Sequence, residues 1–74
     1  MRNKMYEVVF EATETLQNGK ERRCKKSVFM PVFDENGKHI SREMQIARGE
    51  AALREAYFYN IEYHGTKTTM LIFG

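Results

Sequence analysis

The chain holds one cysteine, one proline, no tryptophan and no apolar run longer than four residues. A single thiol excludes an internal disulfide and fits a reducing compartment, with Cys24 read as an ordinary strand residue. The longest apolar runs, Ala56–Tyr59 and Met70–Phe73, fall far short of a membrane span or the core of a secretory signal. The expectation is a soluble, cytoplasmic protein with no membrane contact. Charge of one sign is also scarce. Twelve Lys and Arg against ten Asp and Glu leave +2, too little to argue nucleic-acid binding from net charge alone.

Catalytic signatures are equally sparse. His39 and His64 fall in turn-like segments with no nucleophile at a recognisable spacing. The chain has no glycine-rich phosphate loop, no Cys/His metal-ligand spacing and no carboxylate pair beyond Asp34 and Glu35 in a turn. A non-enzymatic protein is expected, without cofactor, metal ion or small-molecule ligand, since so small a domain rarely has room for a pocket.

What the sequence does have is an ordinary globular balance: 42% hydrophobic and 30% charged residues over 74 positions. This suits one small domain, residues 1–74, rather than a disordered segment. The strongest local signal is Asn18-Gly19 between two strand-like runs, Met5–Leu16 and Glu21–Phe33. Taken as a two-residue type I′ loop, it pairs Gln17 with Lys20, Glu14 with Arg23, Glu11 with Lys26 and Val8 with Phe29. Two of those pairs are of opposite charge, which supports the register. A second turn, Asp34-Glu35-Asn36-Gly37, places Glu35 opposite Lys38. Ser41 is the expected N-cap of a helix from Arg42 to about Tyr57, with Glu43 in its first turn. Gly49, mid-helix, implies close packing. Phe58–Tyr63 and Thr68–Phe73, flanking His64-Gly65-Thr66-Lys67, read as a second hairpin with Gly65 in a type II′ turn.

Pro31 refines the topology. In this register it occupies a non-hydrogen-bonded site, so strand two is expected at a sheet edge. The expected fold is α+β, ββαββ: a four-stranded antiparallel sheet of order 2-1-3-4, one helix on one face, and a protruding N-terminal hairpin.

One helix covers only one face. The register places Tyr6, Val8, Phe10, Phe29 and Phe33 on one side and Met5, Val9, Val28, Met30 and Val32 on the other. The second set has nothing evident to pack on, and an uncovered apolar surface of this kind marks an interface. The reading adopted is a small interaction module, of the accessory or inhibitory type that phages and mobile elements encode. It binds a protein partner, or itself as a homodimer, through that face and the charged hairpin. The runner-up is a nucleic-acid-binding protein. Its ribbon would contact phosphates through Lys20, Arg22 and Lys26, which this register places opposite only Glu11. Of the aromatics after the helix, Phe58 is expected in the core, and one or two of Tyr57, Tyr59 and Tyr63 at the surface.

Overall fold

The computed structural model describes residues 2–72. Its elements are β1 (Arg2–Thr15), β2 (Glu21–Pro31), α1 (Arg42–Glu55) and β3 (Tyr59–Ile72). The three strands form one antiparallel sheet of order β2-β1-β3. The fold is α+β as expected, and β2 lies at an edge, where Pro31 loses no ladder bond.

The expected fourth strand is absent among the described residues; Phe73, the end of that expectation, lies outside them. In its place β3 runs 14 residues alongside β1, paired from Arg2 to Thr13. Gly65 does not turn the chain. It sits at φ +122° in a register shift, where Val9 opposes Gly65 and Phe10 opposes Tyr63, leaving His64 as the extra residue of a bulge. A second shift follows between Glu11 and Thr13, near Asn60 at φ +50°. A glycine inside a strand-like run is as consistent with a bulge as with a turn. Pairing with the long central strand favours the bulge, because it keeps the ladder that a hairpin would abandon.

The first hairpin also differs from the two-residue expectation. Leu16 N–H donates to the Lys20 carbonyl at 2.7 Å, and Gly19 N–H to the Leu16 carbonyl at 2.9 Å. The loop is therefore three residues, Gln17-Asn18-Gly19, a type I turn closed by a left-handed glycine at φ +83°. Asn18 Oδ1 accepts from Lys20 N–H at 3.0 Å. The next turn repeats the device. Asp34 N–H donates to the Lys38 carbonyl at 2.7 Å around Glu35-Asn36-Gly37, with Gly37 at φ +78°. Asp34, not Glu35, thus faces Lys38.

One extra loop residue slips the β1–β2 pairing by one. Val8 opposes Val28, Tyr6 opposes Met30, Glu14 opposes Arg22 and Glu11 opposes Lys25. Because side chains alternate across a strand, that slip moves every β2 residue to the opposite face from the one expected.

The helix packs its Leu53 on the sheet face bearing Val8, Phe10 and Met30, with Tyr6, Val28, Ile46, Phe58, Ile61 and Tyr63 around them. Each fully buried side chain of this kind contributes on the order of 1.5–3 kcal/mol. Ser41 caps α1, its Oγ accepting from Met44 N–H at 3.2 Å. Gln45, Gly49 and Leu53, four residues apart, are its buried stripe. Gly49 is required by contact: a Cβ there would overlap the Phe10 ring. Under the helix start, Val32 and Ile40 are buried, joined by Ile40 N–H to the Val32 carbonyl at 2.9 Å. Buried Gln45 ties this end together. Its Nε2 donates to the Ile40 carbonyl at 3.0 Å, and its Oε1 accepts from Thr66 Oγ1 at 2.7 Å.

The helix ends in a Schellman motif. Phe58 N–H bonds the Leu53 carbonyl and Tyr57 N–H the Arg54 carbonyl, both at 2.9 Å. Tyr57 occupies the left-handed position at φ 67°. The molecule measures only 18 Å along its shortest axis, a sheet and one layer of helix. No described helix is long and apolar enough to cross a membrane.

Candidate functional site

The sheet face away from the helix carries no covering layer among the described residues. At the base of the sheet it presents Met5, Val9, Phe29, Pro31 and Phe33. Met5 and Val9 are half-buried by their neighbours, while Phe29 and Phe33 are 51% and 50% exposed. The Phe33 ring meets His39 edge-on at 4.6 Å between centroids.

Of the five residues expected to form an interface, the sheet keeps only Met5 and Val9 together on this face. Val28, Met30 and Val32 turn toward the helix, where Met30 and Val32 are buried and Val28 packs against the core. The one-residue slip is the whole reason, and it delivers Phe29 and Phe33 outward in exchange. The sequence is compatible with that slip without choosing it: Gly19 and Gly37 each follow a residue pair suited to a type I turn with glycine in its fourth position, while Asn-Gly equally suits a two-residue loop.

Toward the hairpin tip the same face becomes ionic. Arg23 reaches across the central strand, donating to Thr13 Oγ1 at 3.0 Å and to the Asn60 carbonyl at 2.5 Å. The bulge turns that carbonyl toward the guanidinium. Arg23 also lies 3.7 Å from Glu11 and 4.0 Å from Glu62, while His64 Nε2 lies 3.2 Å from Glu11 and 2.8 Å from Glu62. Glu11, Glu62 and His64 bring ligand atoms within 4.8 Å of one another, a set of the type that holds a divalent cation. Here the Arg23 guanidinium lies within 4.0 Å of both carboxylates and offsets one of their two charges, and the group acts as an ionic clasp across three strands.

Of the three candidate phosphate contacts, Arg22 and Lys26 fall on the helix side. Lys20 is exposed in the turn region. Arg22 is engaged with Glu14, its Nη2 2.7 Å from Oε2. This bond holds the Glu14 carboxyl below its ordinary range. Lys26 Nζ sits over the Phe58 ring at 5.1 Å. Arg22 and Lys26 are thus tied to neighbouring groups. Tyr59 braces the tip, its hydroxyl bonded to Glu21 and, at 3.0 Å, to Thr15. The Glu21 carboxylate pushes the Tyr59 phenol above its ordinary value. Cys24 is half-buried, 3.7 Å from the Ala12 carbonyl.

Two features of the uncovered face were not foreseen in the sequence. His64 and Gly65 belong to a bulge, and Gly65 leaves a depression of about 250 Å³ beside Val9, Lys25, Thr66 and Lys67. The aromatics exposed on this face are Phe29 and Phe33, whereas Tyr57, 86% exposed at the helix end, is a surface tyrosine of the kind expected. Set against known proteins, the chain matches no family model, no curated protein and no solved structure.

Proposed function

We propose that this protein is a small non-enzymatic interaction module that docks a protein partner on the uncovered face of its sheet. The observation that carries the reading is a two-layer fold with half-exposed Phe29 and Phe33 beside Met5, Val9 and Pro31, opposite the only helix described. Contiguous apolar surface on a small domain is characteristic of an interface. The ionic clasp next to it supplies orientation rather than affinity, as charged rims do.

The test is a pair of outward substitutions, Phe29→Asp and Phe33→Asp, compared with wild type in two measurements. Sedimentation mass reports self-association. Retention of specific proteins from the source cell, compared between wild type and variant, reports a partner. Both variants should fold, since each side chain is half in solvent, and at least one association should be lost. A doubly substituted, folded protein that keeps every association of the wild type would end this reading.

The nucleic-acid reading has less support, because Arg22 and Lys26 are engaged with Glu14 and Phe58. It requires duplex or single-stranded probes to bind with a steep salt dependence, lowered by about one per lysine or arginine removed. Fluorescence anisotropy at low salt decides it.

A further inference from the structure

At the centre of the uncovered face, Val9 stands between Ser27 on β2 and Gly65 on β3. Gly65 has no side chain, and a Cβ placed on it would meet nothing within 4 Å. The resulting depression is floored by Val9 and walled by Lys25 on one side and Lys67 on the other. Neither lysine has an ion-pair partner among the described residues. The carboxylates nearest in register are committed elsewhere. Glu7, opposite Lys67, accepts from Ser27 Oγ at 2.8 Å. Glu11, opposite Lys25, is held by Arg23 and His64.

Two free cations over an apolar floor specify an anion. The charge around them decides which. Glu7, Glu11, Glu21 and Glu62 share this face with Arg23, Lys25 and Lys67, so four negative charges outweigh three positive. A nucleic-acid backbone laid across it would meet more repulsion than attraction. A single carboxylate seated between Lys25 and Lys67 meets two cations and avoids the rest. Phe29, two residues along β2 from Ser27 toward the base of the sheet and on the same face, offers apolar contact for a side chain next to that carboxylate.

We propose that the Lys25–Lys67 cradle receives an aspartate or glutamate side chain from an extended, acidic–apolar segment of a partner protein, with the flanking apolar residue on Phe29. This rests on the docking reading above and names the chemistry of the partner. In an extended segment, residues two apart face the same way, so the recognised pattern is apolar–x–acidic.

The experiment uses the capped peptide Phe-Ser-Glu-Ser-Phe and its glutamine counterpart as probes against the whole protein, followed by amide chemical shifts. The glutamate peptide should move the Gly65, Thr66 and Ser27 amides and saturate. The glutamine peptide, and the variants Lys25→Gln and Lys67→Gln, should each bind about fivefold more weakly, the weight of one solvent-exposed charge pair. Lys20→Gln should bind as wild type. Equal binding of the two peptides, or undiminished binding by the Lys25 and Lys67 variants, overturns the proposal. So does inorganic phosphate or a DNA duplex that moves the same amides and displaces the peptide. If Phe29→Asp loses a cellular partner while the lysine variants bind the peptide normally, the docking reading stands and this one fails.

Discussion

Gly49 and Phe10 define how close α1 approaches the sheet. Phe10 is fully buried on the central strand, and only a residue without Cβ lets the helix backbone sit against its ring. Elsewhere in a helix, glycine to alanine gains about 1 kcal/mol. At this position the new methyl overpacks a closed core, an effect worth about 1–3 kcal/mol in the other direction. Gly49→Ala should therefore destabilise, and combining it with Phe10→Leu should recover part of the loss. A double-mutant cycle in urea measures that coupling. Additive losses would show that the helix relieves the overlap by shifting. Gln45 acts comparably at the other end of the stripe, since it bonds the Ile40 carbonyl and the Thr66 hydroxyl at once. Its removal takes the side-chain bond from the Ile40 carbonyl and leaves the Thr66 hydroxyl only its 2.7 Å contact with the Tyr63 hydroxyl.

At the scale of elements, the two Asn-Gly loops and the helix end use the same left-handed conformation with opposite fitness. Gly19 and Gly37 take it without steric strain, whereas Tyr57 carries a Cβ into it. Gly19→Ala should cost about 1–2 kcal/mol, and Tyr57→Gly should stabilise by up to about 1 kcal/mol, both read from denaturant midpoints. The Tyr57 ring is 86% exposed, so its removal forfeits little packing. A Tyr57→Gly protein less stable than wild type would mean the ring makes a contact beyond its own helix end. The hairpin register has its own signature: cross-strand Hα–Hα contacts between Thr13 and Arg23 and between Glu11 and Lys25, the direct partners in the slipped pairing.

For the whole molecule, the hairpin tip is braced from both sides, and its two braces titrate at opposite ends of the pH scale. Glu14 is held below its ordinary range by the bond from Arg22. A depressed acid contributes stability above its unfolded value, and that contribution is lost as pH falls through the folded one. Tyr59 is raised by its bond to Glu21. Its neutral form is favoured on folding, so its contribution is present below about pH 10 and lost as pH rises through the higher folded value. Stability should hence plateau at neutral pH and decline at both extremes. Arg22→Gln should flatten the acid limb and Tyr59→Phe the alkaline limb, each by thermal melting. A spectrophotometric titration should find one of the four tyrosines ionising last. Unchanged limbs in both variants would show that neither brace is formed in solution.

The sequence by itself determined the element types, the N-cap at Ser41, the edge position of the proline strand and the close packing at Gly49. Each of these depends on interactions within a few residues or on one residue's steric limits. The number of strands and the identity of the outward face were decided only by tertiary structure. Gly65 has the conformational freedom for either a turn or a bulge, and the presence of β1 along the full length of β3 selects the bulge. Likewise Gln17-Asn18-Gly19 differs from a two-residue loop by one position, yet that position decides whether Met30 or Phe29 faces the helix. Strand periodicity alone does not choose between them, because both faces of β2 are apolar near its end. The choice falls to the packing of Met30 and Val32 into the core beneath the helix, a long-range condition that no local pattern encodes.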